Sequence, residues 1–264
     1  MTELDDISYS REECIAAISD YYSFLTKMYL IEEDVVQPPE CGWPSITSEN
    51  MARLGKTDEV ISLLRHLPYI RKPYSWDNPQ GAAYCYFADW PRMAQGKMTG
   101  DELRLVSESP ELYENVPPHV ISITSGGRDN PVFLLDTELG IVYWWGCPGE
   151  IRKQPIREEV SDDPYDWAPE NEADWRSDAA RWAVKDFFEI LKNEFITLSF
   201  IPINSRIVLD IYAKRYPPCE GWKERVQAIY SHHGWPSLEN FRKDECLKAI
   251  KAALTEEFPE FWGL

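Results

Sequence analysis

The stretch Val120–Gly146, which reads VISITSGGRDNPVFLLDTELGIVYWWG, constrains the fold more than any other part of the chain. It holds three short apolar runs, Val120–Ile123, Val132–Leu135 and Ile141–Trp145, and a glycine-containing turn follows each of the first two. Glycine at a turn supplies the positive φ that other residues resist, so both turns can reverse the chain. Strands joined by such short connections are antiparallel, and the stretch therefore predicts a β-meander.

Helical periodicity flanks this meander. Ser10 and Glu13 form a capping-box pattern, and Thr57 is placed to cap a later helix. Apolar residues then recur at spacings of three and four, which is typical of helices with one buried face. The fold class is therefore α+β: an antiparallel meander sheet flanked by helices, with a C-terminal helical extension. The predicted helices lie at 11–30, 48–54, 58–67, 174–195, 205–215, 220–232 and 238–256.

Two regions give weaker patterns. Prolines punctuate 68–118, which predicts one strand near 82–88 and otherwise loop. Residues 149–178 contain ten acidic against four basic side chains and few aliphatic ones, which predicts a mobile surface loop. A boundary near residue 204 would divide the chain into an α+β domain, 1–204, and a helical extension packed on it, 205–264.

The charge balance bears on the class of partner. The chain has 27 Lys and Arg against 45 Asp and Glu, a net charge of −18. Nucleic acids and anionic membranes both require clustered basic side chains, so neither is expected as a ligand. An acidic surface would instead attract a basic protein partner.

The cysteines indicate the compartment. Six cysteines are spread along the chain without CxxC spacing, which is typical of reduced thiols in an intracellular protein. The acidic start MTELDDISYS has no apolar signal-peptide core, and no apolar run approaches the length of a membrane span. We therefore expect a cytoplasmic or nuclear protein.

A search for catalytic motifs finds no nucleophile elbow, P-loop, dinucleotide fingerprint or HExxH, and no cofactor is expected. Asp162, Asp163 and Asp166 spell DDxxD, a pattern by which isoprenoid synthases bind Mg²⁺ and a diphosphate. With 11 tryptophans available to line a pocket, a Mg²⁺-dependent enzyme acting on an isoprenoid diphosphate is the alternative function. Pro164 within the motif and the lack of a second metal motif disfavour it.

Other residues are candidates for contact with a protein. Tryptophan is enriched at the energetic centres of interfaces, and a glycine-rich turn beside an arginine can bind an anion. Asp136 follows a strand, where a carboxylate commonly accepts backbone N–H groups of the turn. The candidate partner-binding residues are Trp144, Trp145, Trp167, Trp175, Arg128 and Asp136.

The chain also resembles the Smi1/Knr4 superfamily, also called SUKH, and its fungal members in particular, over residues 48–200. The resemblance rests on Gly126-Gly127, Leu135-Asp136, Gly140-Ile141-Val142 and the helix that carries Phe187, Phe188 and Leu191. It implies a protein without enzymatic activity. Bacterial members of that superfamily resemble immunity proteins that bind toxin domains, and yeast members resemble regulators that scaffold cell-wall and signalling partners.

The leading hypothesis is thus a non-enzymatic binding or regulatory protein, ahead of the Mg²⁺-dependent enzyme. A structural subunit of a larger assembly is a third possibility, which light scattering would reveal as a defined oligomer.

Overall fold

The computed structural model describes residues 2–72, 78–126, 130–153, 156–212 and 220–261. The α-helices are α1 (Arg11–Met28), α2 (Ser48–Met51), α3 (Asp58–His66), α4 (Trp90–Gln95), α5 (Gly100–Glu108), α6 (Gly149–Arg152), α7 (Glu170–Asp178), α8 (Val184–Ile196), α9 (Trp222–His232) and α10 (Lys243–Glu257). The strands are β1 (Thr2–Glu3), β2 (Val35–Val36), β3 (Tyr69–Ile70), β4 (Val120–Ser122), β5 (Val132–Asp136), β6 (Ile141–Trp145), β7 (Val160–Ser161), β8 (Ala180–Ala183), β9 (Phe200–Pro202) and β10 (Val208–Asp210).

The predicted meander is confirmed, and it forms three strands of the central sheet. The sheet has the order β4-β5-β6-β8, and every neighbouring pair is antiparallel. In the β5–β6 pair, Val132 faces Trp145 and Asp136 faces Ile141. The α+β class predicted from the sequence is therefore correct, as is the presence of helices at the C-terminal end.

Both faces of this sheet are covered, and strand alternation decides which side chain enters which layer. Phe133 and Trp144 point into the larger core, which α1 and α8 close. Leu134 and Tyr143 point to the opposite face, where Trp175 of α7 packs. Adjacent residues of one strand thus belong to two separate cores.

The capped helices begin where the sequence predicts. The hydroxyl of Ser10 accepts a hydrogen bond from the amide of Glu13 (3.3 Å), and that of Thr57 accepts from the amide of Val60 (3.3 Å). These side chains satisfy amide groups that the first helical turn leaves without a partner. The starts of α1 and α3 could therefore be predicted from hydrogen bonds within the first helical turn.

The range 174–195, predicted as one helix, is helical at both ends but interrupted over 179–183. The chain forms α7 up to Asp178, then the extended strand β8, and only then α8. Ala180 and Trp182 fit a strand period as well as a helical one, and pairing of β8 with β6 decides between them. The sequence pattern alone could not show this sheet partner.

Further predictions need correction. The region 68–118 contains α4 and α5 rather than loop, and 82–88 contributes isolated bridges but no strand. The segment 149–178 holds α6, β7 and α7. In place of a helix over 205–215, β9 and β10 form an antiparallel hairpin, and residues 213–219 lie outside the described residues.

The predicted boundary at residue 204 falls inside the β9–β10 hairpin. Beyond it, α9 and α10 pack against each other and form the C-terminal extension. The extension reaches back to the start of the chain, because the Lys243 ammonium group donates hydrogen bonds to the carbonyls of Thr26 (2.8 Å) and Leu30 (2.6 Å) at the end of α1. Across the described ranges, every helix is too short or too polar to cross a membrane.

Candidate functional site

An open cavity of about 850 Å³ lies between the end of α5 and the ends of β5 and β6. We call it the groove. Its apolar lining comes from Leu105, Val106, Pro110, Val132 and Trp145. The size and the mainly apolar lining are typical of sites that receive a ligand or a partner's side chain.

Strand alternation places Trp145 in the groove. Trp145 is the last residue of β6, directly opposite Val132 of β5, and both side chains lie on the α7 face of the sheet. Other elements cover most of this face of the sheet. Trp145 lies at the uncovered end of the face and stays partly exposed. Of the predicted partner-binding tryptophans, Trp145 is the one that lines this groove.

The other wall of the groove is the last turn of α5. This helix begins with a capping box. The Thr99 hydroxyl accepts from the amide of Glu102 (3.2 Å), and the Glu102 carboxylate accepts from the amide of Thr99 (2.7 Å). The Glu102 carboxylate accepts hydrogen bonds from both the amide and the hydroxyl of Thr99, and these two bonds lower the pKa of Glu102. The sequence analysis missed α5, although the Thr-x-x-Glu spacing is the signal that would have located it. Leu105 of this wall is 37% exposed.

Ser109 ends α5 in a strained conformation. Its φ is +71° and its ψ is 152°, a combination that residues with a side chain rarely adopt. Pro110 excludes the helical conformation for the residue before it, which accounts for the extended ψ. Strained residues are concentrated at ligand-binding sites, and this one lies in the wall of the groove.

Gly126 allows the opposite wall to approach α5. A Cβ at this position would lie 1.2 Å from the carbonyl oxygen of Val106, and its φ is +65°. Only glycine fits both the contact and the conformation. Gly126 belongs to the turn in which an anion site was predicted, and the remaining turn residues, Gly127, Arg128 and Asp129, lie outside the described residues.

Replacing Ser109 by glycine should raise the free energy of unfolding by about 1 kcal/mol, because the relief of about 1–3 kcal/mol of strain exceeds the loss of about 0.5 kcal/mol from the hydroxyl hydrogen bonds with Glu111. Urea denaturation would measure this change. In the control Ser109→Ala, the strain remains and the hydrogen bonds of the hydroxyl group with Glu111 are lost. That variant should be less stable than wild type by about 0.5 kcal/mol. A glycine variant less stable than wild type would contradict the strain argument.

Trp144 and Trp175 are core residues, contrary to the prediction that they contact a partner. Trp144 is 3% exposed and packs edge-on against Phe133, with 4.9 Å between ring centres. Trp175 is 4% exposed and packs against Tyr143, while its indole N–H donates to the carbonyl of Asn115 (3.2 Å). The sequence could not distinguish these rings from the exposed ones.

Asp136 is also buried and therefore does not face a partner. One of its carboxylate oxygens accepts from the amides of Glu138 and Leu139, both at 2.9 Å, as the turn prediction required. The other lies 2.9 Å from the guanidinium group of Arg176, which is buried as well. Arg176 also contacts the carboxylate of Glu172 at 2.9 Å.

Aromatic rings surround this buried arginine. The guanidinium carbon of Arg176 lies 4.7 Å from the ring centre of Trp175 and 5.2 Å from that of Trp167. Burial alone would lower the pKa of Arg176, but its contacts with Tyr143 and Asp136 raise it above the ordinary value. Asp136, Trp167 and Trp175 thus all contact the Arg176 side chain, which links β5 to α7.

The DDxxD residues lie beside Trp167, which is 42% exposed. Both carboxylate oxygens of Asp162 accept from the indole N–H of Trp167, at 2.8 and 3.0 Å. The Asp163 carboxylate accepts from the amide of Tyr165 and caps the 3₁₀ turn Pro164–Asp166. In the part of the chain that the structure describes, no group of three His, Cys, Asp or Glu side chains is arranged to hold a metal ion. Asp162 and Asp163 are therefore engaged in local hydrogen bonds.

No family model matches the chain, and no curated protein or solved structure matches it. The resemblance to the Smi1/Knr4 superfamily thus rests on the sequence features given above.

Proposed function

We propose that this chain is a non-enzymatic protein-binding module, as the resemblance to the Smi1/Knr4 superfamily implies, and that the groove receives an apolar side chain from a basic segment of its partner. The observation that carries this proposal is an open apolar groove that contains an exposed leucine and a partly exposed tryptophan. Burying such side chains against a partner removes apolar surface from water, and tryptophan is enriched among the residues that contribute most to binding.

The charges around the groove favour a basic segment. Among the described residues that line the groove, the charged one is Glu111, and its side chain is exposed. None of the described lining residues is basic. With a net charge of −18 on the whole chain, a positively charged partner would associate faster, and salt would weaken the association.

We place this binding activity in the cytoplasm or nucleus. The described cysteines, Cys14, Cys41, Cys85, Cys147 and Cys246, are all free thiols. Burial raises the pKa of Cys14 and of Cys246 to about 12, which keeps both thiols protonated and unreactive. These features support a compartment in which thiols stay reduced.

Selection of a random peptide library displayed on phage against the immobilised protein would test the proposal. We expect enriched peptides to carry Lys or Arg around an aromatic or aliphatic residue. Their affinity, measured by fluorescence polarisation, should fall at least about tenfold in Leu105→Glu, because a charge would then occupy the apolar wall.

The matched control is Leu238→Glu, since Leu238 is also an exposed leucine, 42% accessible, and does not line the groove. It changes the net charge by the same amount and should bind the selected peptides like wild type. Failure to enrich any peptide would contradict the proposed function, and so would equal loss of affinity in both variants.

A further inference from the structure

Behind the α5 wall of the groove lies a set of buried charged side chains. Glu108, the last residue of α5, has a fully buried side chain, and its carboxylate lies 2.6 Å from the ammonium group of Lys56, which is 1% exposed. The Nε of Arg104 contacts the same carboxylate at 3.5 Å. We call Lys56, Arg104 and Glu108 the ionic centre. None of these three residues lines the groove.

The ionic centre also holds the chain that follows α5. Lys56 donates to the carbonyl of Pro117 (3.3 Å), and Arg104 donates to the carbonyl of Tyr113. The amide of Thr57, next to Lys56, donates to the carbonyl of Pro118 (3.0 Å). The segment 109–118 is therefore held at its middle by Arg104 and at its end by Lys56 and Thr57, and Glu108 holds the two basic side chains in place.

This segment includes the strained part of the groove wall. Ser109, Pro110 and Glu111 all line the groove, and Ser109 has the positive φ described above. A strained conformation persists only when the surrounding structure holds it in place. Lys56, which lies just before α3, and Arg104 of α5 each donate to a backbone carbonyl of the segment that holds this strained part.

Stability alone does not account for a buried set of charges. Burial lowers the pKa of Lys56 and raises that of Glu108, and the attraction between the two groups opposes both changes. Apolar residues of similar volume often replace a buried ion pair without loss of stability. Charged side chains that donate directional hydrogen bonds to particular backbone carbonyls, as Lys56 and Arg104 do, instead fix the geometry of the chain.

We propose that Lys56, Arg104 and Glu108 are positioning residues for the groove: they act through the segment 109–118, which they hold in the conformation that receives the partner. This inference rests on the proposed function, because the groove is taken as the binding site. The inference adds to the proposed function three residues that do not contact the partner but on which affinity for the partner depends.

The test is the double variant Lys56→Met/Glu108→Gln. A single replacement would leave one charge buried without its partner and could unfold the protein, whereas the double variant removes both charges together. The control is Arg11→Met/Glu59→Gln, which removes another ion pair, at 3.5 Å between Arg11 and Glu59, away from the groove. Both double variants leave the net charge unchanged.

Two measurements are made on each variant. Hydrogen exchange followed by mass spectrometry should show at least about tenfold faster exchange for the amides of 109–113 in the Lys56/Glu108 variant, while α1 and α8 keep wild-type protection. Affinity for the phage-selected peptides should fall at least about tenfold in the same variant. The control variant should match wild type in both measurements.

The outcomes separate this inference from the proposed function. Wild-type exchange over 109–113 in the Lys56/Glu108 variant would overturn the inference, and so would faster exchange with unchanged peptide affinity. If no peptide is selected by the wild-type protein, the proposed function fails. Hydrogen exchange over 109–113 in the Lys56/Glu108 variant would then still decide whether the ionic centre positions the segment 109–118.

Discussion

Asp136→Asn should lower the free energy of unfolding by about 3 kcal/mol, because it leaves the buried guanidinium group of Arg176 with one carboxylate instead of two. Asparagine has nearly the same shape and retains an oxygen that can accept from the amides of Glu138 and Leu139. The expected loss is therefore mainly electrostatic. Urea denaturation, with the slope of the transition checked for constancy, measures it.

Two further variants show whether the charge pair is the cause. Glu138→Gln removes an exposed carboxylate from the same turn and should change stability by less than about 0.5 kcal/mol. Asp136→Asn/Arg176→Met removes both buried charges and should recover part of the loss. A single Asp136→Asn variant as stable as wild type would show that Glu172 alone compensates Arg176.

Replacement of the two neighbouring tryptophans of β6 should lower stability by different amounts. Trp144→Ala removes a buried ring that contacts Phe133 and Phe187, and it should cost about 3–5 kcal/mol of stability. Trp145→Ala removes a partly exposed ring at the end of the other face and should cost less than about 2 kcal/mol. Thermal and urea unfolding of both variants would measure this difference.

Binding should show the reverse order. Affinity for the phage-selected peptides should fall about 30-fold in Trp145→Ala, equivalent to about 2 kcal/mol, if the ring is a main contact in the groove. The fraction of Trp144→Ala that remains folded should bind the peptides much as wild type does. Loss of affinity in Trp144→Ala at a temperature where it is fully folded would contradict the separation of the two faces.

The sequence predicts the parts of the fold that depend on local chemistry. The turn residues and apolar runs around Val132 and Ile141 are sufficient to predict a meander, and Ser10 and Thr57 mark helix starts through hydrogen bonds within a single turn. These signals need no knowledge of distant partners. The meander and the capped helices were accordingly predicted with their correct type and nearly their correct bounds.

The parts of the structure that the sequence did not predict depend mainly on contacts between residues far apart in the chain. Ala180–Ala183 is extended because β6 provides a sheet edge, and no local pattern shows that edge. The groove combines α5 with Trp145, some forty positions later in the chain, and the ionic centre joins Lys56 to Glu108 across a similar separation. Such sites appear only after the chain is folded, although the Thr99–Glu102 capping box could have located one wall.

The hydrogen bonds from Lys243 to the end of α1 have a consequence for synthesis on the ribosome. The carbonyls of Thr26 and Leu30 are synthesised 217 and 213 residues before Lys243, whose side chain satisfies them. Ile18 and Leu25 of α1 share one core with Ile250 of α10. A nascent chain would therefore hold α1 with part of its apolar face uncovered until α10 left the exit tunnel, which is the interval in which chaperones would be needed most.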